Sequence, residues 1–256
     1  MTKQTIIGLT GPAGCGKNTV ADLLTKHLGF VQCAFADPLR REIEEAFSID
    51  PALLTDRRTK EHPTLALALS RCADQNFVAA ALASLRTANS REVFEEEAAA
   101  RSPRQIMQWW GTEYRRQRHA PDYWSRQLSS RVYVRQQAGH QLHIITDVRF
   151  PNEANTIECL GGQIWQIKRP GYGAEGDHAS ATTGSMFRPA VVIDNAHDTQ
   201  YLQAMVLGAL FQQQARITAA DLVYMGLSHV SQANAEWSSK GPTSAIHSAA
   251  AQATNA

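Results

Sequence analysis

The chain has 256 residues, 43% of them apolar, which is enough to bury a full core and places it among globular proteins of enzyme size. Lys plus Arg total 25 against 24 for Asp plus Glu, which excludes an excess positive field for steering onto nucleic acid and directs attention to small ligands. No apolar run reaches the ~18 residues of a membrane span, and the four scattered cysteines, Cys15, Cys33, Cys72 and Cys159, form neither a CxxC pair nor a zinc pattern.

In chain order, Met1 to Leu9 enters a strand pattern directly, without a charged and apolar leader. A cytoplasmic protein with reduced thiols is expected. Thr5 to Leu9 reads as a strand buried on both faces, and Val20, Leu23, Leu24, His27 and Leu28 recur at helical spacing before the stop at Gly29. Phe30 to Phe35 predicts a second strand and Pro38 to Phe47 a second helix. Residues 63–101, rich in Ala, Leu and Arg, predict a helical insertion of one or two helices. Strand patterns return at 142–146, 163–167 and 190–193, with helices before Gly161 and over 201–212. Beyond about Ser231 few large apolar groups remain, so 231–256 reads as a disordered tail to a 1–230 domain. Strands alternating with helices imply an α/β fold, a mostly parallel sheet covered on both faces, with ligands at the carboxyl ends of its strands.

Between the first strand and first helix stands Gly11-Pro12-Ala13-Gly14-Cys15-Gly16-Lys17-Asn18-Thr19. The pattern G-x-x-x-x-G-K turns backbone N–H groups inward as an anion nest, aims the helix's positive end at phosphates and sends Lys17 to the β- and γ-phosphates. A glycine turn of no function is the alternative, and the flanking strand and helix argue against it. Asn18 occupies the place where the general motif has a magnesium-ligating Ser or Thr, and Thr19 follows; these two are the candidate metal ligands.

Ser102-Pro103-Arg104-Gln105 carries a helix start, with a capping Ser, a first-turn Pro and Gln three residues after the cap. At α-helical spacing Arg104, Gln108, Gly111, Thr112 and Arg115 would form one polar stripe, either a solvated face or a binding face. Gly at mid-helix costs ~1 kcal/mol relative to Ala, which is easier to understand if a ligand approaches the backbone there. Asp122-Tyr123-Trp124 offers an aromatic wall or core residues in equal measure. At the end of the 142–146 strand, Asp147 and Arg149 share a side, suited to magnesium, a sugar hydroxyl or a phosphate; a structural pair is the alternative, and Glu153 could be a helix-start acid.

Together the loop, Phe35-Ala-Asp-Pro-Leu-Arg40, Ser102 to Glu113, Asp122-Tyr-Trp124, Ile145-Thr-Asp-Val-Arg149, Gly161-Gly162, Lys168-Arg-Pro170 and Val192-Ile-Asp-Asn195 closely resemble the bacteriophage deoxynucleoside monophosphate kinases. The likeness runs from about residue 5 to 212, apart from the insertion. It implies a P-loop NTPase fold and transfer of the ATP γ-phosphoryl group, with Mg²⁺, to a deoxynucleoside monophosphate for phage DNA synthesis in a host cytoplasm. Lys17, Asp147 and Arg149 would then be catalytic. ATP would be held by Gly11, Ala13, Gly14, Cys15, Gly16, Lys17, Asn18 and Thr19, with Arg169 near its phosphates and Asn195 near adenine. Arg40, Arg104, Gln108, Gly111, Thr112, Trp124, Asp147, Arg149 and Glu153 would form the monophosphate site. Asn18 stands where the family often has Asp, and His178-Ala-Ser-Ala181 lacks the acid expected after the His. A same-fold kinase with another acceptor, such as a modified base in DNA or a small alcohol, and a nucleotide-driven switch that phosphorylates nothing are the rival functions. Assembly is open, a homodimer among the options.

Overall fold

The apolar run at the start of the chain forms strand β1, Thr5–Thr10, with five of its six residues buried. A computed structural model describes residues 4–56, 58–86, 89–172 and 188–212; His178 to Ala181 and the 231–256 tail lie outside the described residues. Helix α1, Lys17–Leu28, follows the glycine loop and buries Val20, Ala21, Leu23 and Leu24. Full burial of each large aliphatic side chain contributes about 1.5–3 kcal/mol. Gly29, at φ 69°, ends the helix, and the Phe30 N–H closes back onto the Leu24 carbonyl. Strand β2 is only Val31–Cys33.

Residues Phe35–Arg131 make one compact unit, and the residues before and after it make another. The Phe35–Arg131 unit is helical: α2 (Ala36–Phe47), α3 (Ala52–Thr55), two 3-10 turns (Leu65–Leu67 and Leu69–Arg71), α4 (Gln75–Leu85), α5 (Ser90–Ala98) and α6 (Pro103–Gln108). Asp74 caps α4 by accepting from the N–H groups of Asn76 and Phe77, and Asn89 caps α5 through Arg91 and Glu92. After α6 the chain continues as a π-helix over Trp109–Arg116, and α7 follows at Tyr123–Gln137, its residues up to Arg131 belonging to this unit. The unit's aromatic core centres on Phe77, whose ring centroid lies 4.3 Å from Trp110, 5.7 Å from Tyr114 and 6.2 Å from Phe47.

The other unit holds the sheet. Strand β3 (Leu142–Ile145), helix α8 (Pro151–Cys159), strands β4 (Gln163–Lys168) and β5 (Val191–Asp194) and helix α9 (Thr199–Gln212) complete it. All four strand pairings are parallel and the order is β2-β3-β1-β4-β5. Thr5 stands opposite Leu142, and Leu9 opposite Trp165. A core of Ile7, Leu9, Val20, Leu24, Ile144, Trp165, Ile193, Val206 and Leu210 joins strands to α1 and α9. The α/β class and parallel sheet are as the sequence predicts.

Element ends shift by one to three residues. The second strand stops at Cys33 because Phe35 already caps α2, which starts at Ala36 rather than Pro38; Pro38 sits in the first turn, where its missing N–H costs nothing. The larger departure is the π-helix. Its i→i+5 bonding breaks the α-helical spacing on which the 104–115 stripe depended. Gly111 is consequently buried, while Gln108 and Thr112 are exposed.

Candidate active site

Three glycines shape the phosphate loop, with φ 140° at Gly11, 78° at Gly14 and 109° at Gly16, conformations that side-chain-bearing residues rarely adopt. Gly16 is the N-cap of the 12-residue helix α1, and no side-chain cap hydrogen bond is made there among the described residues. The Lys17 ammonium folds over the loop and donates to the carbonyls of Gly11 and Pro12, at 2.7 Å each, and lies 3.8 Å from Cys15 Sγ. A cation thus rests where the loop gathers its backbone groups. Cys15 is fully buried, whereas Ala13, Asn18 and Thr19 are exposed.

Asn195, only 8% exposed, braces the loop: its Nδ2 donates to the Cys15 carbonyl at 2.8 Å, and its backbone N–H to Lys168 at 2.7 Å. A Cβ at Gly16 would run into that same Nδ2. Arg169 reaches the loop from the end of β4, with Nη1 3.4 Å from the Gly14 carbonyl.

The segment after β3 lies beside the end of β1, since the Val148 N–H donates to the Leu9 carbonyl at 3.2 Å. Val148 is buried, Asp147 half-buried and Arg149 exposed, which matches alternation across the sheet end. Glu153, 3% exposed, sends Oε2 back to the N–H groups of Arg149 (2.9 Å) and Phe150 (3.2 Å). It is a helix-start carboxylate that orders the Asp147–Phe150 turn.

In the helical unit, Ser102 Oγ accepts from Gln105 N at 3.2 Å, as the capping sequence predicts. Arg104 is exposed and ion-paired with Glu61. Arg40 and Arg131 converge on one carboxylate, Asp37, at 3.2 and 3.1 Å, and Arg40 Nε is buried without a hydrogen-bond partner. Trp124 is 4% exposed, and its Nε1 donates to the Gly111 carbonyl at 3.0 Å. Its ring is therefore core, and its indole N–H holds the π-helix.

One carboxylate of this unit, unmarked by any sequence pattern, gathers three side-chain donors. Glu42 accepts from Trp110 Nε1 (2.7 Å), Arg115 Nε (2.7 Å) and the Tyr123 hydroxyl (2.6 Å). The Arg115 guanidinium lies 4.4 Å from the Tyr114 ring centroid and 5.1 Å from that of Tyr123. Burial first, then the hydrogen bond to Glu42, push the Tyr123 phenol up to about 12. Amphipathic spacing puts Glu42 next to Ile43, and no local pattern separates it from a solvent-facing acid.

Oxygen donors suited to Mg²⁺ are present as the Thr19 hydroxyl, the Asn18 amide and the Asp147 carboxylate. Among the described residues no group of three or more His, Cys, Asp or Glu side chains is arranged to hold a metal ion, and no helix is long and apolar enough to cross a membrane.

Residues 60–206 match the family described as deoxynucleotide monophosphate kinase. A protein of Acanthamoeba polyphaga mimivirus, provisionally named a deoxynucleotide monophosphate kinase, is 29% identical over 189 residues, covering 68% of this chain and 79% of its own. Among solved structures, a dephospho-CoA kinase from Campylobacter jejuni superposes with a TM-score of 0.43 at 12% identity, over 81% of this chain and 96% of its own. A Thermus thermophilus protein gives 0.41 at 16% identity, over 83% and 99%. The family match begins after the phosphate loop, so loop geometry and family likeness are separate observations.

Proposed function

This chain belongs to the deoxynucleotide monophosphate kinase family, and we propose that its reaction is transfer of the γ-phosphoryl group of ATP to a deoxynucleoside 5′-monophosphate. It is a phosphotransferase acting on small nucleotides. The observation that supports ATP as the donor is the loop, where three positive-φ glycines, a helix start without a side-chain cap and the inturned Lys17 ammonium make a cradle suited to a polyphosphate, while the acceptor is read from the family.

Phosphoryl transfer asks little covalent chemistry of a protein; it needs two anions held in line and the charge of the transferring group neutralised. On arrival of ATP, Lys17 exchanges its two carbonyl partners for phosphate oxygens, a short side-chain movement because the ammonium already lies over the loop. Asn195 keeps the loop's shape during that exchange, and Arg169 supplies further N–H donors at Gly14. Asp147 and Arg149, in the turn that Glu153 fixes, act on the reacting phosphates. Arg40, Arg104, Gln108 and Thr112 bind the monophosphate, and Trp124 fixes the buried Gly111 backbone behind them. Mg²⁺, when bound with ATP, would be held by Thr19, Asn18 and Asp147 together with phosphate oxygens and water, and would supply positive charge to the phosphates. The setting is the cytoplasm of a host cell, where the diphosphate feeds viral DNA synthesis.

A coupled ADP-release assay with ATP, Mg²⁺ and each of dTMP, dGMP, dCMP and dAMP tests this directly. Turnover that depends on one or more of the monophosphates is expected. ADP release at the same rate without any acceptor would replace the kinase with a nucleotide-driven switch.

A further inference from the structure

The chain leaves β4 through Arg169-Pro170-Gly171-Tyr172. Proline presets the second position of a β-turn, Gly171 at φ 77° supplies the third, and the Tyr172 N–H closes onto the Arg169 carbonyl at 3.2 Å. These are the features of a type II turn, which delivers its first and fourth side chains close together. Here both reach the tip of the phosphate loop. The Arg169 guanidinium carbon lies 4.7 Å from the Tyr172 ring centroid, while Nη1 faces the Gly14 carbonyl at 3.4 Å. The Tyr172 ring itself lies on Gly14, so close that a Cβ there would come within 2.6 and 2.9 Å of ring carbons Cε1 and Cδ1. Gly14 is thus needed twice, for its φ of 78° and for the room it gives a tyrosine.

Core packing does not explain the ring, because Tyr172 stays 44% exposed. Among the described residues, its ring contacts are with the Arg169 guanidinium and with Gly14 of the loop. A free arginine side chain samples many rotamers; a guanidinium stacked on an aromatic face and donating to Gly14 samples few, and still has N–H groups left for a ligand.

We propose that Tyr172 is a positioning residue for the nucleotide, stacking Arg169 against the tip of the loop so that the remaining guanidinium N–H groups face the phosphates of ATP. The assignment rests on the loop being the ATP site. It separates the turn's two residues by role: Arg169 touches phosphate and Tyr172 acts only through Arg169.

Calorimetric titration of the full chain with ADP tests it. Tyr172→Ala should weaken ADP binding about 2- to 5-fold, the worth of an exposed cation–aromatic stack, while Tyr172→Phe, which keeps the ring, should bind like wild type. Arg169→Ala should weaken binding at least as much, and Arg169→Ala with Tyr172→Ala no more than Arg169→Ala alone. Inorganic pyrophosphate, which has the phosphates without the base, should lose affinity by the same factor in Tyr172→Ala. Circular dichroism melts confirm that each variant is folded. Wild-type ADP affinity in Tyr172→Ala, or a full additional loss in the double variant, overturns the proposal. Weakened ADP with unchanged pyrophosphate also overturns it, because the ring would then be reading the base. No ADP binding by the wild type sinks the loop assignment itself.

Discussion

The phosphate loop and the π-helical segment Trp109–Arg116 are built by opposite means. In the loop, shape is mainly local: glycines take the positive φ values and β1 and α1 fix the ends, with Asn195 as a distant brace. The π-helix draws its shape from distant partners, with Glu42 holding Trp110 and Arg115, Asp74 holding the Tyr114 hydroxyl at 2.9 Å, and Trp124 holding the Gly111 carbonyl. Damage to the first should therefore remove chemistry and spare the fold, while damage to the second should remove the fold first.

Lys17→Ala gives the largest effect: turnover falls about a hundred- to a thousandfold, the worth of one electrostatic donor at a reacting phosphate, with an unchanged urea midpoint. A parallel loss of stability would break the contrast. Glu42→Ala comes next. It strips the acceptor from an indole N–H, a guanidinium and a phenol, and should cost about 3 kcal/mol in urea unfolding. A loss below about 1 kcal/mol would mean that water or neighbours satisfy those donors and that the π-helix does not depend on them.

Gly111→Ala sharpens the comparison at a buried glycine inside the π-helix. A Cβ there would meet Leu39 at 3.5 and 3.8 Å and Trp124 Nε1 at 3.9 Å, ordinary contacts, so stability should change by less than about 1 kcal/mol. The Michaelis constants for the monophosphate and for ATP should both stay fixed. A rise in the first alone would mean that the ligand does approach that backbone. The smallest effect concerns Tyr123. With a folded-state value raised from 10.0 to about 12, its contribution to stability is complete below pH 10 and is lost as pH rises through about 12. Glu42→Gln removes the neighbouring negative charge, so the alkaline absorbance titration of tyrosinate should shift to lower pH; an unmoved curve would assign the whole effect to burial.

Legibility follows the same division. The strand–loop–helix start, the Gly29 stop, the Ser102 cap and the Asp147-Val148-Arg149 alternation were readable because each rests on residues a few positions apart. Glu153 as a helix-start acid was among the readings the sequence offered, and the structure gives it that hydrogen-bonding pattern. Glu42 was invisible, since its partners lie 68 to 81 residues away. The π-helix was hidden for a related reason, as no residue preference marks it and its 104–115 stripe imitates an α-helical face. Tyr172 did leave a signal: Pro-Gly after a strand predicts a tight turn, and a turn returning from β4 must come near the loop that follows its neighbour β1.

The strand order also governs how the chain can be made. β1 is the middle strand, yet its partners β3 and β4 begin at Leu142 and Gln163, so a ribosome must release most of the polypeptide before the first strand finds either neighbour. The Phe35–Arg131 helices, contiguous in sequence, have no such delay. Until β3 emerges, the apolar β1 is a nascent segment with its pairing edges open, which makes the order of synthesis a hazard that chaperone binding to the amino terminus would relieve.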